Sequence, residues 1–174
     1  MKIKRIIYCF LSLAMFALSG CGPDNDGYSD KVDGNYNMKI TPELTFVYEG
    51  YTLPITLDVI NTTCSITKVD EDGNVAIKID GVNGVINEMN LNANCSGLGM
   101  SVEKSLYDGI MITNNYDRID CNLTLKNASS TISNSKVLNW NSTVTGSCEL
   151  SYSGLEIVCD VGGTINFYAT YIVE

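Results

Sequence analysis

The sequence predicts an all-β protein of about nine strands, folded as a β-barrel or a β-sandwich. Three observations lead there. From Tyr36 onward, apolar residues alternate with polar ones at period two, the pattern of strands with one buried face. No window of helical length carries an apolar stripe at i, i+3, i+4 and i+7. The best helical candidate is a turn or two near Ser101–Tyr107, fenced by Gly97, Gly99 and Gly109. Strand-plus-turn segments recur about every ten residues, the spacing of barrels and sandwiches. Closing the sheet would also remove exposed edges.

The chain opens on a basic start, Met1-Lys2-Ile3-Lys4-Arg5, and an apolar run from Ile6 to Leu18. Such a segment reads as an export signal, too short and wrongly flanked for a spanning helix. Its ending, Leu18-Ser19-Gly20-Cys21, resembles the bacterial lipobox, in which the cysteine sulfur takes a diacylglycerol and a peptidase cuts before it. The resemblance implies a lipoprotein signal peptide over 1–20 and lipidation of Cys21. Palmitate-type acyl chains would then make the membrane a partner and place the protein in the cell envelope, on the outer membrane. One acyl chain anchors marginally, and two or three hold firmly.

Residues 21–33 contain almost nothing to bury and read as a flexible linker behind the anchor. Asp24 and Asp26 resemble the acidic export signal of Bacteroidetes lipoproteins, which implies a cell-surface orientation; a solvated linker is the plain reading. The β domain then spans 34–174. Tyr36, Met38 and Ile40 alternate with Asn37 and Lys39. Leu44, Phe46 and Tyr48 follow, then Ile55, Leu57 and Val59. Asp72-Gly73 supplies hairpin-turn residues, and Val75, Ile77 and Ile79 resume the alternation. Met89, Leu91, Ala93 and Cys95 share a face, as do Ile119, Cys121, Leu123 and Leu125. Ile165, Phe167, Ala169, Tyr171 and Val173 form the last strand.

The sharpest local inference concerns residues 146–161. With Ser153-Gly154 as a two-residue turn, Tyr152 opposes Leu155, Leu150 opposes Ile157 and Cys148 opposes Cys159, all on one face. Opposed Cα atoms in an antiparallel pair lie about 4.5–5.5 Å apart, within the roughly 4.4–6.8 Å a disulfide accepts. The pattern therefore predicts a Cys148–Cys159 disulfide, with two buried thiols as the alternative. Cys64, Cys95 and Cys121 sit in the apolar register of other strands. Cys64–Cys95 and Cys95–Cys121 are both open.

Composition excludes several function classes. Once 1–20 is removed, eight basic and twenty acidic side chains remain, a net −12. Such a domain is no partner for nucleic acid, whose phosphates call for Lys and Arg. The chain contains no histidine, which removes Ser-His-Asp and Cys-His catalysis and nearly all zinc-enzyme ligand sets. No catalytic site, metal site or cofactor is expected, and the protein reads as a non-enzyme. Asp70, Asp72 and Asn74 around Gly73 lack the spacing of a calcium loop and read as a hairpin turn. Asp117, Arg118 and Asp120 read as a solvated strand face. Trp140, between Asn139 and Asn141, could stack on a sugar but is better read as a core anchor whose N–H finds one partner.

The lipobox, the acidic linker, the opening Asp33-Gly34-Asn35-Tyr36 strand, hairpins such as Lys68–Ile77 and the terminal Gly163-Thr164-Ile165-Asn166-Phe167-Tyr168 strand together resemble the calycin-like, lipocalin-like small lipoproteins of gut Bacteroidetes. The lipocalin Gly-x-Trp appears here as Gly34-Asn35-Tyr36. The resemblance implies an eight-stranded up-and-down barrel, usually without an assigned function. The leading expectation is a lipid-anchored binding module with a small apolar or amphipathic ligand in its mouth. The other is a structural or adhesive surface protein with a solid barrel, whose loops meet a protein or glycan. Met38, Phe46, Met89, Phe167 and Tyr171 are the side chains able to pack such a barrel shut.

Overall fold

Strands that alternate apolar and polar residues each need one face covered, and this chain covers them by curling one antiparallel sheet on itself. A computed structural model describes residues 29–97, 99–115, 117–127, 129–133, 136–152 and 154–173. The signal segment, Cys21, most of the linker and Ser153 lie outside the described residues. Among those described, one helical turn, α1 (Ser29–Val32), precedes eleven strands: β1 (Gly34–Tyr48), β2 (Tyr51–Leu53), β3 (Ile60–Lys68), β4 (Asn74–Ile79), β5 (Met89–Ser96), β6 (Gly99–Val102), β7 (Ser105–Ile112), β8 (Arg118–Asn127), β9 (Ser129–Thr131), β10 (Val137–Tyr152) and β11 (Leu155–Tyr171). Neighbours run β7-β8-β10-β11-β1-β3-β4-β5-β6-β9, with β2 beside the end of β1. The sheet curls into a half-barrel around one core.

Eleven strands replace the expected eight or so because chain segments are interrupted. β2 is a three-residue return after Tyr48. Only Glu103 and Lys104 separate β6 from β7, and a single residue separates β8 from β9. Each pair keeps one register: Gly99 opposes Thr131 and Ser105 opposes Leu125, a six-residue step on both sides. At the break, the Asn127 amide donates to the Glu103 carbonyl, and the Glu103 N–H donates to the Asn92 carbonyl. A side chain thus satisfies a backbone group that the ladder leaves free. The helical expectation over Ser101–Tyr107 fails for the same reason. Met100, Val102 and Tyr107 are buried strand residues, and the glycines there punctuate a kinked strand.

Three other expectations change. Leu44, Phe46 and Tyr48 extend β1 instead of opening a new strand. Residues 54–59 hold no strand, only an isolated bridge from Leu57 to Thr113, and Val59 is 45 % exposed. The end of the expected linker is seated on the sheet. Ser29 and Val32 are buried, Tyr36 Oη donates to the Val32 carbonyl (2.6 Å), and Lys68 Nζ lies 3.2 Å from Asp30.

The inward register otherwise follows the alternation. Ile119, Cys121, Leu123 and Leu125 are buried, as are Met89, Leu91, Ala93 and Cys95. Trp140 opposes Phe167 across β10 and β11, and their rings stack at 5.0 Å. Tyr36 meets Tyr171 edge-on at 5.4 Å, and Lys136 Nζ sits 4.0 Å over the Tyr171 ring. On β10, beside β8, a Cβ on Gly146 would lie 2.1 Å from the Asn122 carbonyl oxygen.

These contacts set an order of sensitivity. Phe167→Ala, which leaves Trp140 facing a void, is expected to cost about 3–5 kcal/mol. Gly146→Ala is expected to cost about 1–3 kcal/mol by pushing two strands apart. The exposed neighbour Thr145→Ala should stay within about 0.5 kcal/mol of the parent. Urea midpoints at constant slope measure all three.

Candidate functional site

A ligand-binding barrel of this kind would open at one end of the sheet, and that end is where the chain departs from regular strands. β3, β4 and β5 are short. Only β3 pairs with β1, along its first half, and β4 and β5 follow β3 in turn, so that side of β1 beyond Ile40 is left to the three-residue β2, a gap in the long strands. Residues 54–59 and 80–88 fill this gap. Leu57 bridges to Thr113, the Asn114 N–H donates to the Thr56 carbonyl (3.0 Å), and Ile86 bridges to Met111. Val82 and Ile86 close a tight turn through the Val82 N–H and the Ile86 carbonyl (2.9 Å). Tyr107 Oη pins it, accepting from the Asn87 N–H (3.1 Å) and donating to the Ile110 carbonyl. Thr113 Oγ1 accepts from the N–H groups of Asn115 (3.2 Å) and Asp117 (3.0 Å), ordering the next turn.

The gap-filling segments are apolar on the inside. Leu53, Ile55, Leu57, Val82 and Val85 are partly buried against the core and Ile86 is fully buried. Elsewhere along the core Phe46, Met38, Trp140, Phe167, Tyr36 and Met111 are each essentially inaccessible to water. Met89 is buried and Tyr171 partly so. The clefts that remain beside the Leu57–Thr113 bridge are open and small. One, about 250 Å³, is lined by Val59, Ile60, Val82, Val85 and Ile112 with Asp58, Asn61 and Thr113. The other, about 50 Å³, lies between Pro54, Ile55, Ile119 and Leu150.

The remaining sequence candidates fall into place individually. Asp70 accepts from the N–H groups of Asp72 (3.0 Å) and Asn74 (3.1 Å) and from the Asn74 amide (2.8 Å). It therefore ties a four-residue turn between Val69 and Asn74, and those contacts hold its carboxyl below the ordinary range. Arg118 and Asp120 form a solvent-exposed ion pair (2.7 Å). Trp140 is the expected core anchor, 1 % exposed, but its Nε1–H has no partner among the described residues. The aromatic that does face outward beside Asn139 is Tyr168, 40 % exposed. Next to it the Asn166 amide donates to Asn139 Oδ1 (2.7 Å) and Asn141 Oδ1 (2.9 Å). A shallow groove of about 490 Å³ runs past Tyr168, Lys39, Asn37, Asn61, Thr63 and Thr170.

Cys148 opposes Cys159 in the expected register, and all five described cysteines are buried free thiols in this structure. The sheet opposes neither Cys64 with Cys95 nor Cys95 with Cys121. Cys64 faces Tyr36 and Ile79, and Cys95 faces Met100. Instead, Cys121 opposes Cys148 from the other side, an alignment that requires the β8–β10 register and so could not be read from either strand alone. Burial is the largest cause that pushes the Cys64, Cys121 and Cys148 thiols from the ordinary 9.0 to about 12, and Cys95 to about 11.

Searched against known protein families and against curated proteins, the chain matches none.

Thiols whose folded pKa lies above the unfolded value stay neutral in the fold and ionise sooner once released. Their contribution is complete below about pH 9 and is lost as pH rises toward about 12. Tyr107, pushed by burial from 10.0 to about 12, acts in the same direction. The melting temperature should therefore hold level from pH 7 to about pH 9 and fall steadily above it. A level melting temperature to pH 11 would contradict this arrangement of thiols.

Proposed function

We propose that this protein is a cell-envelope lipoprotein, held to the outer membrane through acylated Cys21, whose domain is a solid barrel that works by its outer surface. The observation that carries the reading is the interior. Trp140, Tyr36, Phe46, Phe167 and Met38 occupy the space a ligand would need, and an eight-stranded barrel is just wide enough for side chains to fill. Joining β6 with β7 and β8 with β9 along their common registers reduces the long strands to eight, each paired to its neighbour in chain order. That connectivity supports a closed up-and-down, calycin-like barrel over the half-barrel sheet. The lipobox supports the anchor. No helix among the described residues is long and apolar enough to cross a membrane.

On this reading the contacts with a protein or glycan are made outside, and the Tyr168 face, an exposed ring among asparagine amides, has the chemistry of a sugar platform. The second reading, a small apolar ligand, rests on the cleft lined by Val59, Ile60, Val82, Val85 and Ile112. At about 250 Å³ it falls below the roughly 300–1,000 Å³ of ordinary ligand pockets.

Two measurements test the proposal. The protein from its own cells should partition into detergent, and Cys21→Ala should move it to buffer. Native mass spectrometry of the detergent-extracted protein should give the acylated mass alone; a stoichiometric small molecule in repeated preparations would replace the solid-barrel reading with the second.

A further inference from the structure

The β8–β10–β11 wall places three cysteines in one row across adjacent strands. Cys121 opposes Cys148, and Cys148 opposes Cys159. All three point into the core. Burial first, then the neighbouring Cys121 and Cys159, pushes the Cys148 thiol up. The residue opposing Cys121 on its far side is Gly109, so no side chain extends the row. Cys64 and Cys95 lie on β3 and β5, outside it.

We infer that Cys148 is a thiol shared between two partners: it bonds to Cys159, and Cys121 is poised to take that bond over by exchange. Directly opposed strand residues have Cα atoms about 4.5–5.5 Å apart, inside the range of about 4.4–6.8 Å for a disulfide. Both neighbours of Cys148 meet that condition. Cys121 and Cys159, with β10 between them, lie about two strand spacings of 4.7–4.9 Å apart and do not. The row therefore accommodates one bond in either of two places. The hairpin favours Cys159 first, since only residues 149–158 separate the two cysteines and a short loop closes at the lowest entropic cost.

The chemistry balances in two steps. A small-molecule disulfide such as glutathione disulfide, or a dithiol oxidase of the envelope, accepts two electrons and two protons from Cys148 and Cys159 as their S–S bond forms. Exchange then needs no oxidant. The Cys121 thiolate forms a bond to Cys148 Sγ, the Cys148–Cys159 bond breaks with its electron pair on Cys159, and the proton lost by Cys121 ends on the Cys159 sulfur. Exchange proceeds through the thiolate, and these thiols are held neutral by burial. The bond therefore stays put at neutral pH and moves only as pH rises. The oxidising compartment is the one the proposed envelope location supplies, but the chemistry can be tested on the purified protein regardless of its anchor.

The test uses the detergent-extracted full-length mature protein, oxidised with glutathione disulfide, alkylated and digested with trypsin and a Glu-specific protease. Cleavage at Glu149 and Glu156 separates Cys148 from Cys159, and cleavage at Lys126 and Lys136 releases Cys121. At pH 7.5 the expected link is Cys148–Cys159, with Cys121 alkylated. In Cys159→Ala the link should move to Cys121–Cys148, and in Cys148→Ala neither neighbour should be linked to the other. Free thiols at both Cys148 and Cys159 after oxidation overturn the proposal, as does a Cys121–Cys159 link in Cys148→Ala. A second measurement needs no variant: wild-type protein oxidised at pH 7.5 and then held at pH 9.5 should yield Cys121–Cys148 peptides. Their absence overturns the exchange step.

Discussion

The register of the β10–β11 hairpin is the constraint on which the other elements depend. Sixteen opposed pairs run from Val137 with Thr170 to Tyr152 with Leu155. Side chains alternate with period two, so a slip of one residue would turn Trp140, Val144, Cys148, Phe167 and Ile165 outward together. β8 takes its face from β10 and β1 from β11. The inward direction of the whole sheet is therefore set along this one ladder. The Trp140–Phe167 stack lies in it, and so do the two cysteines of the hairpin.

A sheet that curls about such a ladder has a core filled by its own side chains. The inward residues are large where the walls are regular, and where β3 to β5 stop short, residues 54–59 and 80–88 supply Leu57, Val82, Val85 and Ile86 instead. The buried polar atoms are mostly served locally: Ser130 Oγ accepts from the Asn139 N–H (3.1 Å), and Tyr36 reaches the Val32 carbonyl. Trp140 Nε1 is the exception among the described residues, along with Ser29 Oγ. An unpaired indole N–H costs stability, and its ring is retained here as apolar volume against Phe167.

Legibility differed by element, for physical reasons. The alternation at Ile119–Leu125 and Met89–Cys95 reports burial directly, because each strand's own period determines which side chains share a face. The hairpin at Gly154 was legible because a two-residue turn fixes its register without outside help; Gly154 takes φ 80°. The breaks between β6 and β7 and between β8 and β9 were not, because what satisfies them is the Asn127 amide reaching Glu103 from another strand. The segment 80–88 carried turn residues and scattered valines but no period, and its place depends on Tyr107 reaching Asn87. Leu155 and Val173 followed the pattern yet are 67 % and 85 % exposed, since each lies at or beyond a strand end with nothing to cover it.

The amino-acid order alone determined the all-β character, the face most strand residues present and the register that opposes Cys148 to Cys159, because these follow from local periodicity and a short loop. The tertiary structure decided that Cys121 joins that pair from the far side, that the candidate mouth is filled by its own chain, and that Tyr168 instead of Trp140 faces solvent. Those outcomes rest on which strands become neighbours and how far each extends. Contacts between residues far apart in sequence govern both, and no single segment's pattern encodes them.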